Sequence, residues 1–276
     1  MLGVAMKYSP IIGLAAAWKA HMEFQSGDYD AMVRSLNLSG EHAAPTDLDA
    51  LTRRSVVLCN CFMICGEQSA AQTWFMYAKD CAVKNGDQAS LEALIYNRAA
   101  FLTTWLRAEN CIEPVSKEEL SRVRMEIASA RNFQNLIGIA ALTVHIHLWD
   151  ARLHLLDSDF AGAIEKLRAI REELPPSEYS FSQAYIDLEI CYAQAMTGQI
   201  DDAVQGYRLL PPLDMSKLDI DEQLVAVWIR RQLAELSSAF GEVADFTGEL
   251  DQLRSAYLAS KAGLMDHLNR VSLRAH

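Results

Sequence analysis

The sequence predicts an all-α chain built from a repeated helical unit, and three observations carry that prediction. Gly (13) and Pro (7) are scarce in 276 residues while Ala and Leu dominate, a composition that favours helices. No stretch alternates Val and Ile with polar residues as strands require. A polar turn that opens into a helical pattern recurs along the chain, always with a small residue at the same distance before it.

The turns come in order. Ser26-Gly27-Asp28-Tyr29 leads into Asp30-Ala31, and Gly66-Glu67-Gln68, Ser158-Asp159-Phe160 and Gly198-Gln199-Ile200 follow the same pattern. Counted from Gly27, Gly66, Ser158 and Gly198, the fifth residue onward is Met32, Ala71, Ala163 and Ala203. The ninth is Leu36, Phe75, Leu167 and Tyr207. A small or slim residue followed four later by a large one lies on one helical face and packs against a neighbouring helix. Seven residues before the turns stand Ala20, Cys59, Ala151 and Cys191, each small enough to let two helices approach. A weaker fifth turn at Gly241 has Ala234 in that place. Gly66 and Ser158 stand 92 positions apart, room for two units of about 46. The middle unit runs from Asp87 to Leu106 as a first helix, through a loop at residues 108–116, and along Lys117 to Arg131 as a second.

These residues resemble the tetratricopeptide repeat family, above all its divergent, long-repeat bacterial type. Gly27-Asp28-Tyr29, Ala71 with Phe75 and Ala78, and Ala203 with Tyr207 match its turn and packing positions, and Asn97-Arg98-Ala99-Ala100 resembles its small-residue crossing. Pro175 stands where its repeat-ending proline falls. Met32 and Phe246 stand where the family has alanine, which marks the outer repeats as atypical caps. The resemblance implies a right-handed α-solenoid of antiparallel helix pairs with about 12–13 helices. It divides the chain into repeats at residues 10–48, 50–86, 87–132, 133–176, 178–214 and 219–262, with a capping helix at 263–273.

The family's first helices line a concave groove, and its register places His21, Arg53, Asn60, His145, Arg152, Tyr185, Tyr192, Arg231 and Glu235 on that face. Arg and Tyr are residue types that interfaces favour. Arg53 and Asn60 resemble part of the clamp that some members close on a peptide's terminal carboxylate, although the further Lys, Asn and Arg positions are missing. Trp18, Trp74, Trp105, Trp149 and Trp228 fall among apolar neighbours at helical spacing, and core packing is expected for most of them.

Chemistry is weakly signalled. Cys59, Cys61 and Cys65 share an apolar helix, a place for packing cysteines more than for the tight turns that offer thiolates to zinc. His147, Asp150 and His154 share a helix face that a divalent metal could bridge, with His145 beside them, but the His-Glu-x-x-His pattern is absent. Phosphate loops, dinucleotide fingerprints and nucleophile elbows are absent too, and no cofactor is expected. Paired carboxylates such as Glu118-Glu119 and Asp201-Asp202 stand at helix starts, where the dipole accounts for them.

The balance of 36 acidic against 25 basic residues, net −11, argues against nucleic acid as the main ligand, since phosphate demands a basic face. No stretch reaches the 18 or so apolar residues that span a bilayer, and six cysteines are too few for a disulfide scaffold, so the expectation is a cytoplasmic protein. The sequence therefore predicts a non-catalytic scaffold or adaptor that holds a protein or peptide partner, with homo-oligomerisation left open. One alternative is an effector-sensing module working with a separate transcription regulator. Another is a metal-dependent enzyme around His145 to His154.

Overall fold

A computed structural model of the chain describes residues 10–137, 143–173 and 180–272. Its regular elements among those residues are helical. They are α1 (Pro10–Gln25), α2 (Tyr29–His42), α3 (Leu48–Cys65), α4 (Gln68–Asn85), α5 (Gln88–Asn110) and α6 (Lys117–Ile137). After these come α7 (Thr143–Leu156), α8 (Phe160–Glu173), α9 (Ser180–Met196), α10 (Ile200–Leu209), a short 3-10 turn at Met215–Lys217, α11 (Ile220–Leu236) and α12 (Phe240–Leu268). Pro175 lies outside the described residues.

The recurrent turns share one backbone device. Gly27, Gly66, Ser158 and Gly198 each take a left-handed conformation, with φ of 74°, 80°, 62° and 89°. In each the next residue donates its N–H five residues back, as from Asp28 to Glu23, Glu67 to Phe62, Asp159 to His154 and Gln199 to Gln194. That pairing occupies carbonyls that a helix end leaves open. Two further turns use the same device: Gly86 before Asp87, and Ser238 (φ 57°) before Ala239. The fifth turn therefore pivots on Ser238, three residues before the Gly241 that marks it in sequence. Connections this short fold each helix back on its predecessor.

The small residues sit where helices meet. Ala20, Cys59, Ala151, Cys191 and Ala234 are buried, at 5% exposure or less. Of the residues that follow the turns, Met32, Leu36, Ala71, Ala163, Leu167 and Ala203 are buried, whereas Phe75 and Tyr207 are half-buried. Each buried Leu or Met at these places is worth about 2–5 kcal/mol against truncation to Ala.

The chain forms two compact units. The first comprises residues 1–101 and 259–276, and the second residues 102–258, so α5 and α12 each give residues to both. In the first unit α1 packs on α2 and α3, and α3 packs on α2 and α4. In the second, α7 packs on α6 and α8, and α9 on α8, α10 and α11. These helices pack mostly on neighbours one or two elements away in sequence.

One stretch departs from that rule. The end of the first unit returns to α2 and α3 from more than 200 residues away. The Asn37 side chain donates to the Arg270 carbonyl at 3.1 Å and accepts from the Ser272 N–H at 2.7 Å. Arg270 pairs with Asp30 at 2.7 Å. The capping segment expected at residues 263–273 is also not a separate helix: α12 runs unbroken to Leu268. Leu250, Tyr257, Leu264 and Leu268 are all buried along it, at helical spacing. Gly263 lies inside this helix, where packing of its neighbours overrides the roughly 1 kcal/mol that Gly costs. Likewise α6 reaches Ile137, past the boundary expected at residue 132.

Candidate functional site

The residues expected on one concave face fall in both units. His21, Arg53 and Asn60 belong to the first; His145, Arg152, Tyr185, Tyr192, Arg231 and Glu235 belong to the second.

In the first unit α1 and α3 bring His21, Arg53 and Trp18 together. The Arg53 guanidinium lies 3.8 Å from the centre of the Trp18 ring, a close cation–π contact. His21 packs edge-on to that ring at 6.1 Å, and burial, then the Arg53 charge, holds its imidazole below its ordinary value. Trp18 is 47% exposed, so it leaves the core role expected of it and forms, with Arg53, an amphipathic surface platform. Asn60 does not join them. It is 2% exposed within α3, because its face of the helix meets other helices, and the partial carboxylate clamp is not assembled.

The second unit holds a buried ionic centre. Arg107 from α5 and Arg152 from α7 both reach the Glu189 carboxylate on α9, which has no exposed surface. Arg152 Nε stands 3.0 Å from Glu189 Oε1. Arg107 also donates to the Tyr185 hydroxyl at 3.3 Å, and that hydroxyl donates onward to the Glu222 carbonyl at 3.3 Å. Burial alone would depress Arg107, but Glu189, with Tyr185 and Glu222, outweighs it and holds the guanidinium charged. Burial pushes the Tyr185 phenol well up. The Arg152 guanidinium lies 5.3 Å from the centre of the Tyr185 ring, and both residues are inside the fold (7% and 2% exposed) and not on an open face. A cavity of about 40 Å³ adjoins the centre, lined by both arginines, Asn110, Tyr192 and Trp228. Tyr192 is itself buried, edge-on to Phe160 and Trp228.

Arg231 and Glu235 form a half-exposed pair one turn apart at 2.5 Å, steadied by Thr247 at 3.2 Å from Arg231 Nε. His145 is exposed on α7, where desolvation and then the Arg152 charge lower its pKa.

The metal-bridging face is otherwise engaged. Asp150 pairs with Lys166 at 3.1 Å and Arg131 at 3.2 Å, and His154 Nδ1 faces Asp159 at 2.7 Å. Among the described residues no group of three or more His, Cys, Asp or Glu side chains is arranged to hold a metal. Cys59 and Cys61 are buried, with Cys61 Sγ 3.6 Å from Met32 Sδ. Burial pushes the Cys65 thiol up to about 11, far from the thiolate that ligates metal.

Sequence reasoning missed Arg107 and Glu189, the residues that organise the second unit. The signal was a charge flanked on both sides by apolar residues: Glu189 between Leu188 and Ile190, and Arg107 between Leu106 and Ala108. No protein-family model matches the chain, and no curated protein matches it either.

Proposed function

We propose that the chain is a non-catalytic interaction module, a tetratricopeptide-like right-handed solenoid whose surface holds a protein or peptide partner. The observation that supports this most is the recurrence of one left-handed turn at six places, four of them (Gly27, Gly66, Ser158 and Gly198) with a small buried residue seven positions before. Such a frame spends its sequence on stacking rigid helices and leaves side chains on their outer faces free to differ from unit to unit. A preformed surface binds with little ordering cost. The accessible candidates among the expected residues are Arg53 and His21 beside Trp18 in the first unit, and His145 and the Arg231–Glu235 pair in the second. Aromatic and arginine side chains of this kind anchor interfaces. Arg152, Tyr185 and Tyr192 take a supporting part, holding the helices that carry the surface. The acidic excess sets the partner's expected character as neutral or basic polypeptide, not nucleic acid.

The test is a pull-down from the native host lysate, comparing wild type with an Arg53→Glu/Arg231→Glu variant of unchanged circular dichroism. The expected result is a polypeptide retained by wild type and lost by the variant. Identical capture by both, or specific capture by neither, would overturn the assignment of these surfaces.

A further inference from the structure

Between α10, α11 and the start of α12 the second unit opens a groove that the partner-binding reading does not use. Its cavity measures about 390 Å³, within the range of small-molecule sites. Leu188, Leu233 and Phe246 give it an apolar wall, and Pro211 and Pro212 line it from the loop after α10. A second concavity of about 540 Å³ shares Val204, Arg208 and Ser237 with it, and carries the exposed side chains of Leu209 and Leu236.

Two cations face this apolar space. Arg208 lines both concavities and Arg230 lines the first. The arginines described above have partners: Arg53 lies over the Trp18 ring, Arg107 and Arg152 share Glu189, and Arg231 has Glu235. Arg208 and Arg230 form no ion pair with a described residue, and the Arg230 Nε atom is buried without a hydrogen-bond acceptor. Glu242 lines the first cavity and Asp201 its neighbour, so each concavity carries one carboxylate as well. A buried N–H donor on a guanidinium that lacks an acceptor costs about 1–3 kcal/mol. Nε of Arg122, Arg131 and Arg254 is buried in the same way, and at Arg230 the donor belongs to a side chain lining an open groove that an acceptor from outside can enter. Planar guanidinium forks match a carboxylate, and the leucine and phenylalanine wall matches a hydrocarbon body.

We propose that this groove binds a free amphipathic organic carboxylate, with its head on Arg208 and Arg230 and its apolar body against Leu188, Leu233 and Phe246. In this chain of net charge −11 the first cavity carries two arginines against one carboxylate, Glu242, beside an apolar trough. The head gives orientation and the trough gives affinity, so a ligand lacking either part binds poorly. None of these residues belongs to the surfaces assigned to the partner, so the two assignments fail separately.

Titration calorimetry on the whole chain tests the site, with octanoate as probe and acetate and 1-octanol as its two halves. The expected result is saturable binding of one octanoate per chain, weaker by about tenfold or more for acetate, for 1-octanol and for the Arg208→Gln/Arg230→Gln variant. Absence of saturable octanoate binding, equal binding by that variant, or equal affinity for 1-octanol would overturn the proposal. Should the double variant lose its helical circular dichroism, Arg208→Gln alone gives the same reading, because Arg208 is exposed and its removal leaves the core untouched.

Discussion

The two units bury arginine in opposite ways. In the first, Arg54 is 4% exposed and meets no carboxylate among the described residues; its Nε donates to the Leu36 carbonyl at 3.1 Å and its Nη2 to the Ser272 carbonyl at 2.9 Å. Gly40 makes room for it, since a Cβ there would stand 3.2 Å from Nη2. Burial depresses Arg54 below the ordinary arginine value, with a nearby Tyr77 resisting. In the second unit, Arg107 and Arg152 converge on the carboxylate of Glu189, and Arg107 is raised. Carbonyls are neutral, so they satisfy the donors without neutralising the charge; the carboxylate does both. The first unit therefore uses its arginine as a tie between a helix end and a returning chain segment. The second uses two arginines and one glutamate as a three-helix pin.

The contrast predicts unequal losses. Glu189→Gln leaves two guanidiniums buried against a neutral amide, and should cost about 3–5 kcal/mol in urea denaturation. A loss under 1 kcal/mol would mean that the centre tolerates uncompensated charge and that the pin is ornamental. Arg54→Met removes two charge-assisted hydrogen bonds but also relieves a desolvated charge, so a smaller cost of about 1–3 kcal/mol is expected. Protection of the amide of Ser272 against hydrogen exchange should fall with it; unchanged protection would deny the tie.

A third change sharpens the comparison within the second unit, where acids are buried as well as bases. Asp221, in the first turn of α11, is pushed up to about 6 by burial, and Glu222 and Asp219 add to the rise. Between about pH 4 and 6 the native carboxyl holds a proton that the unfolded one has released, so stability falls as pH climbs through that window and stays lower above it. Asp221→Asn should therefore stabilise by about 1–2 kcal/mol at pH 7.5, discounted for partial exposure, and give no gain at pH 4. A gain independent of pH would assign the effect to packing.

What could be read in the sequence was local. Left-handed turns and the small residues seven positions before them depend on a few neighbours, and Gly27, Gly66 and Gly198 announce them. Ser158 and Ser238 take the same conformation without the glycine that signals it, and the fifth turn was displaced to Gly241 for that reason. The continuity of α12 was hidden because Gly263 looks like a breaker until Leu264 and Leu268 are seen to be buried beyond it. The ionic centre was hidden most deeply. Arg107 and Glu189 stand 82 residues apart, and nothing in either helix alone says that they meet. Burial of Asn60, Arg152, Tyr185 and Tyr192 has the same origin, for repeat register fixes the face of a helix but not how much of that face its neighbours cover.

The long return that closes the first unit bears on how the protein is made. Arg54 emerges from the ribosome 218 residues before the carbonyl of Ser272 that receives it. At ordinary elongation rates of about 5–20 residues per second, that interval is roughly 10–40 s. Through all of it α2 and α3 can pack on α1 and α4, but Asn37, Asp30 and Arg54 wait for partners not yet synthesised. The first helices to be born are among the last to be finished.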